Sequence, residues 1–326
     1  MMKCLVRGEL RAAFVVAALL ATSPQRAMAQ DYPTKPIRLV VGFPAGGPND
    51  IQGRMIAAWL SARLGQPVTV DNKPGGSSNP ATEEVVRAPA DGYTLLLVGP
   101  ANAINPSIYN NLPFNFLRDI APVASVIREP LVMVVNPSVP AKTVAEFIAL
   151  AKAQPGKMKL ASTGKGSSPH VSGLLFTTLA GVDLETVQFA GGGPALKGMI
   201  DGEAQVMFEP MSASIEPVRS GKLRALAVTT TMRSAALPDV PALADAVPGY
   251  EASAVTGLGV PAQTPKPIIE RINKEINAAF ADPAMKQRIA DGGGLILEGT
   301  PAEFGKLLAA ETEKWGKVIK SSGAKP

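Results

Sequence analysis

The sequence predicts an α/β protein of two lobes, each a mostly parallel sheet flanked by helices. Three observations predict it. Short apolar runs of strand length alternate with segments of helical period, the pattern of a sheet covered on both faces. That alternation starts at Ile37 and starts again at Leu131. The chain of 326 residues exceeds what one hydrophobic core usually serves, even with the first 29 set aside. With 46% hydrophobic and 18% charged residues, the composition is globular, and 31 glycines and 30 prolines are scattered between the periodic segments, not pooled in one linker.

The chain opens with Lys3, Arg7 and Arg11, an apolar run from Ala12 to Ala21, and the small-x-small triplet Ala27-Met28-Ala29. This reads as a signal peptide over residues 1–29, cleaved after Ala29, that exports the protein. The run is too short to span a bilayer, and no later stretch reaches roughly 18 uninterrupted apolar residues. Cys4, the only cysteine, lies in the leader, so no disulfide or thiolate site is expected in the mature chain. The leader also holds Lys3, Arg7, Arg11 and Arg26 against Glu9, so most of the excess of 32 Lys+Arg over 27 Asp+Glu leaves with it. No basic run interleaved with aromatics remains, and nucleic acid is not expected as a partner.

In order, Ile37 to Val41 reads as a buried strand, broken by Phe43-Pro-Ala-Gly-Gly-Pro-Asn-Asp50 before a helix capped by Asn49 or Asp50. That helix carries Ile51, Met55, Trp59, Leu60 and Leu64 on one side and stops at Gly65. A strand from Pro67 to Val70, a small-residue loop from Asn72 to Asn79, a short helix and an apolar strand from Tyr93 to Val98 follow. The second round runs through strand Leu131 to Val135, helix Val144 to Ala153, strand Lys159 to Ala161, and the loop Ser162-Thr-Gly-Lys-Gly-Ser-Ser-Pro-His170 before another helix. Strands near Val206 to Phe208, Leu223 to Val228 and Val255 to Val260 precede two helices. Their stripes, Ile268/Ile272/Ile276/Phe280 and Phe304/Leu308/Trp315/Ile319, read as core faces. No repeat at the 20 to 50 residue periods of solenoids is present.

Each lobe thus offers a small-residue loop running into a helix start, where backbone N–H groups and the helix dipole attract an anion; a carboxylate is the natural guest. Gly164-Lys165-Gly166 begins a dinucleotide fingerprint, but Pro169 stands where its third glycine belongs, and no cofactor is expected. His170 follows Ser167 and Ser168, which suggests a hydrolase. No nucleophile-elbow pattern surrounds those serines, and a lone His at a helix start is more often a packing or hydrogen-bonding residue. No clustered Asp/Glu/His motif suggests a metal.

At these loops the sequence resembles the substrate-binding receptors of tripartite tricarboxylate transporters, often called the Bug family. The resemblance covers essentially the whole mature chain. Its motifs are Tyr32-Pro-x-Lys-Pro-Ile-Arg38, Phe43-Pro-Ala-Gly-Gly47, Asp50, Ala88-Pro-Ala-Asp-Gly-Tyr-Thr-Leu95, Ile104-Asn-Pro106, Gly164-x-Gly166 with Ser168 and His170, Gly221-Lys-Leu-Arg-Ala-Leu-Ala-Val228 and Leu237-Pro-Asp-Val-Pro241. It implies a periplasmic binding protein of type II-like build, two lobes joined by crossover strands near Val126 to Val135 and Tyr250 to Val260, closing by a hinge. Residues 30–131 and 255–326 would form one lobe and 132–254 the other. The implied ligand is a small carboxylate: a di- or tricarboxylate, an acidic amino acid or an aromatic acid. The implied contacts are Phe43, Ala45, Gly46, Gly47, Asn49, Asp50, Ala101 and Asn102 from one side. From the other come Gly164, Lys165, Gly166, Ser167, Ser168, His170, Phe189, Gly191 and Glu209. The implied partners are membrane transporter subunits, with a sensor kinase as the alternative, and the implied state is a monomer without enzymatic activity.

The sequence departs from the family at the same places. Pro48 brings neither N–H nor hydroxyl where many members carry Ser or Thr. Lys165 replaces a neutral polar residue, Ala190-Gly-Gly-Gly193 is smaller than usual, Glu209-Pro210 replaces a common Asp-Asn pair, and no aromatic occurs around Ala254 to Thr256. These changes imply a roomier or reshaped pocket.

Overall fold

The computed structural model describes residues 32–322; the expected signal peptide and its cleavage site lie outside the described residues. The first round of elements is β1 (Ile37–Val41), α1 (Pro48–Leu64), β2 (Val68–Asn72), α2 (Asn79–Val86), β3 (Thr94–Val98), α3 (Pro100–Ile108) and α4 (Phe116–Asp119). The long β4 (Ile120–Val135) leads to the second round: α5 (Val144–Ala153), β5 (Lys159–Ser162), α6 (Ser168–Ala180), β6 (Glu185–Gln188), α7 (Gly192–Asp201), β7 (Val206–Pro210), α8 (Met211–Arg219) and β8 (Arg224–Val228). The chain returns through β9 (Ser253–Pro261) and ends with α9 (Lys266–Ala279), α10 (Pro283–Asp291), β10 (Leu295–Ile296) and α11 (Pro301–Ser322).

The strands form a continuous path, β2-β1-β3-β9-β4-β7-β5-β6, with β8 and β10 also paired to β4. As expected, the outer strands of each half are parallel: β2-β1-β3 on one side and β6-β5-β7 on the other. The antiparallel pairs are those made by the crossover strands. β4 changes partners midway. Ile120 to Pro130 pairs with β9, and Leu131 to Val135 lies between β7 and β8. Its alternation places Leu131, Met133 and Val135 in one apolar core and Val132 and Val134 in the core on the opposite face. In the first half, Leu39, Leu60, Leu95, Ile272 and Ile276 share one core, while Val40, Leu96, Phe304 and Leu308 share the other.

The junction of the two halves is fastened by polar contacts. Thr229, buried at the end of β8, accepts the Leu131 N–H on its hydroxyl at 2.8 Å and donates to the Ala252 carbonyl at 2.7 Å. Arg128 on β4 donates to the Ser253 hydroxyl of β9 and pairs with Glu311 of α11 at 3.4 Å. The helix α11 serves both halves: Phe304 and Leu308 lie in a core of the first, whereas Trp315 and Ile319 pack with Phe147, Phe176 and Tyr250 in the second. Gly257 allows β9 to lie beneath this helix, since a Cβ there would stand 2.4 Å from the Phe304 ring and 2.3 Å from the Ala124 carbonyl oxygen.

Two local expectations are corrected. Helix α1 begins at Pro48 with Gly47 as its N-cap, so Asn49 and Asp50 lie in its first turn and do not cap it. Asp50 instead accepts the Gly46 N–H at 2.8 Å and the Arg54 Nε–H at 2.9 Å, holding the preceding loop. Ile51 is 49% exposed and off the apolar stripe. The loop ahead of α6 is held similarly. Buried His170 accepts the Gly166 N–H on Nδ1 at 3.2 Å, and Ser167 caps the helix by accepting the His170 N–H.

Replacing Thr229 by Val keeps its shape but leaves the buried Leu131 N–H without its hydroxyl acceptor, and should cost about 1–3 kcal/mol. Urea denaturation measures this directly, and an unchanged midpoint would show the fastening to be idle. Burial, reinforced by the Lys165 ammonium, lowers the His170 pKa from 6.5 to about 4. The unfolded chain therefore takes up a proton on acidification before the folded one does, and stability falls as pH drops through that window. At about 1.4 kcal/mol per unit, this component approaches roughly 3 kcal/mol at the acid end. His170→Gln should lack it, so the wild type should lose more stability between neutral pH and about pH 4.5 than the variant does. Equal losses would refute the assignment.

Candidate ligand-binding site

Five helices begin around one cavity of about 170 Å³. Each follows the C-terminal end of a strand: α1 after β1, α3 after β3, α6 after β5, α7 after β6 and α8 after β7. This is where ligands bind in open α/β sheets, because the loops there are free to vary and the helix N-termini point inward. Gly47-Pro48-Asn49, Pro100-Ala101, Ser167-Ser168-Pro169, Gly192-Gly193-Pro194 and Pro210 supply the five starts. Pro48, Pro100 and Pro169 occupy first-turn positions, where a missing N–H costs the helix nothing. The summed dipoles make the cavity attractive to negative charge.

The crossover strands form its floor. Glu129 of β4 and Ala254 and Thr256 of β9 line it, and Gln52 reaches in from α1. Glu129 accepts the Gln52 side-chain N–H at 2.7 Å and the Ser212 backbone N–H at 2.8 Å. Burial still raises its pKa, against the lowering effect of those hydrogen bonds. Glu209, at the end of β7, is buried too. Burial first, and then the Glu129 charge, push its pKa well above the usual carboxylate range. No Lys, Arg or His lines this cavity among the described residues.

Of the residues anticipated from sequence, Phe43, Ala45, Gly46, Gly47, Asn49, Ala101, Ser167, Ser168 and Glu209 line the cavity. Gly164, Lys165, Phe189 and Gly191 line a neighbouring cleft of about 580 Å³, which also touches Phe43. Lys165 is exposed there. Asp50, Asn102, Gly166 and His170 are on neither surface and hold loops from behind. Asn102 accepts the Gly99 N–H and donates to Thr82, which closes the start of α3. The hydrogen bonds of His170 run to the Gly166 N–H and the Ser167 cap, and none joins its ring to a serine hydroxyl. Sequence reasoning missed Gln52, Glu129 and Thr163, whereas Gly192, Gly193, Ala254 and Thr256 fall in the two stretches it read as reshaping the pocket. Glu129 had a legible signal, the single acid in a mostly apolar stretch from Val123 to Val135 that otherwise carries only Ser125 and Arg128 as polar residues.

Comparison with known proteins agrees with this architecture. The sequence model described as tripartite tricarboxylate transporter family receptor matches residues 53–324. BugT of Bordetella pertussis is 35% identical over 300 residues, 91% of this chain and 92% of BugT. A protein from the tcbD-tcbE intergenic region of Pseudomonas sp. strain P51 is 33% identical over 315 residues, 96% of this chain and 94% of that protein. Among solved structures, R. palustris Rpa4515 with adipate superposes with a TM-score of 0.87 at 33% identity, covering 90% of this chain and 99% of its own. MatC from Rhodopseudomonas palustris with bound malate gives a TM-score of 0.84 at 29% identity, covering 88% and 100%. The periplasmic binding protein BugD gives 0.85 at 29%, covering 90% and 99%. With the fold, the crossover strands and nearly the full length shared, the chain belongs to the tripartite tricarboxylate transporter receptor family of solute-binding proteins.

Proposed function

We propose that this chain is an exported periplasmic receptor that captures a small carboxylate between its lobes and presents the closed form to membrane transporter subunits. The observation that carries the reading is the convergence of five helix N-termini on one cavity. Such a site favours a carboxylate without needing a basic side chain. The relatives with adipate and with malate support the ligand class.

In this reading, residues 30–131 and 255–326 form one lobe and 132–254 the other. The loop Phe43 to Asp50 and the loop Gly164 to His170 grip from opposite sides, with Ala101 and Glu209 completing the wall and Phe189 and Gly191 lining the adjoining cleft. Asp50, Asn102, Gly166 and His170 position the gripping loops. The described conformation has the lobes in contact: Ser77 donates its hydroxyl to the Lys165 carbonyl, and a Cβ on Gly191 would stand 3.2 Å from Pro44. Closure of this kind excludes water and strengthens each polar contact to the ligand.

Calorimetric titration of protein unfolded and refolded to strip carried-over ligand, against mono-, di- and tricarboxylates, acidic amino acids and aromatic acids, should give stoichiometric binding to one subgroup. Silence across the panel from folded protein would end the carboxylate reading. Gly46 has open space at its Cβ position but a positive φ of 80°, which strains any L-residue, so Gly46→Ala is the control that separates backbone strain from charge in Gly46→Asp. Its carboxylate among the helix starts should weaken binding at least ~100-fold, and unchanged affinity would remove this loop from the site.

A further inference from the structure

The cavity attracts negative charge at its helix starts yet carries acids beside them, and the two call for different ligand groups. Glu209 is 1% exposed, and neither carboxyl oxygen has a hydrogen-bond partner among the described residues. Gln52 commits its side-chain N–H to Glu129, which leaves its own Oε1 without a partner. Glu129, by contrast, accepts on both oxygens, from Gln52 and from Ser212. A cation beside Glu209 would favour its ionised form, in which Oε1 and Oε2 of Glu209 and Oε1 of Gln52 are three acceptors on cavity-lining residues without a donor. Buried acceptors left unmade are costly, and more so when charged.

The neutral donors of the lining, Asn49, Thr163, Ser167, Ser168 and Thr256, make no hydrogen bond to these oxygens. The lining contains no Lys, Arg or His among the described residues, and Pro48, Pro194 and Pro210 have no N–H to offer. Gly192 keeps the space beside Glu209 open, since a Cβ there would stand 3.3 Å from Oε1. A protonated amine carries three N–H donors and no acceptor, which matches the set of orphaned oxygens. We propose that the ligand of this chain is a small amino monocarboxylate, with its carboxylate facing the helix N-termini and its ammonium held by Glu209 together with Gln52. The inference rests on the carboxylate reading above and narrows it. A second ligand carboxylate would add negative charge beside Glu129 and Glu209, whereas a zwitterion adds none and turns bare acceptors into charge-assisted hydrogen bonds.

The test compares amino monocarboxylates (alanine, γ-aminobutyrate, 5-aminovalerate) with amine-free acids (butyrate, succinate, adipate) by calorimetry at neutral pH on the refolded protein. At least one amino acid should bind about 30-fold or more tightly than any of the amine-free acids. Glu209→Gln, which keeps the shape and removes the charge, should abolish that preference while the unliganded protein melts no lower than wild type. Tighter binding of succinate or adipate, with proton uptake read from buffers of different ionisation enthalpy, would overturn the proposal and make Glu209 a protonated donor to a ligand carboxylate. So would an amine preference that survives Glu209→Gln. Silence from all the acids would defeat the carboxylate reading and this inference together, while binding confined to amine-free acids would defeat this inference alone.

Discussion

The antiparallel pairing of β4 with β9 is the constraint from which the rest of the molecule follows. Its last rung, Pro130 opposite Ser253, is where one half of the sheet hands over to the other. Because β4 continues unbroken across that point, the parallel strands on both sides are carried into one path with their C-terminal ends facing a common gap. The helices that follow those strands must then begin at the gap, and their N-termini are aimed at whatever occupies it. The site is thus a consequence of topology before any side chain is chosen. Thr229 and Arg128 secure the junction with buried or half-buried polar bonds, which specify one register where apolar packing alone would tolerate several.

Side-chain chemistry then tunes a field that the backbone supplies. Helix starts offer a carboxylate partial positive charge without a solvated cation that has to be stripped of water. Prolines in those first turns leave the dipoles intact but subtract individual N–H donors, so the wall is selective about where an anion can be held. Glu129 and Glu209 push in the opposite direction. Their carboxyls are buried within reach of each other's charge, which is why the Glu209 pKa moves up and not down. The helix starts and the two acids thus make the wall's field uneven from one side to the other.

Much of this architecture was legible in the sequence, for reasons that individual residues make plain. Ile37 to Val41 and Leu131 to Val135 are apolar runs bounded by turn formers, and Ile268 to Phe280 and Phe304 to Ile319 keep a stripe over three or more turns, so local pattern and tertiary burial agree. Helix α3 was not read because Asn102, Asn105 and Pro106 break its pattern; the structure uses the asparagines to close the helix start and to bond Ser77 and Asn79. Strand β6, Glu185 to Gln188, is a half-exposed edge without an apolar run. In the site, glycine loops announced the helix starts, but Gln52, Glu129 and Thr256 come from a helix and two crossover strands distant in sequence. Only the register of β4 against β9 and the reach of α1 bring them to one wall. His170 drew attention as a chemical group and instead holds a loop, which its isolation among apolar and small neighbours favours.

The placement of α11 limits how the two halves can part. Its first turns are seated in one core through Phe304 and Leu308, its last through Trp315 and Ile319 in the other, and Glu311 between them is tied through Arg128 to the strand junction. Pulling the halves straight apart would strip apolar surface from one end of the helix, whereas packed helices slide past one another cheaply by an ångström or two. The α11 edge therefore resists a straight separation of the halves more than a rotation about that edge. Separation of the halves at the edge away from α11 would leave both of these seatings in place.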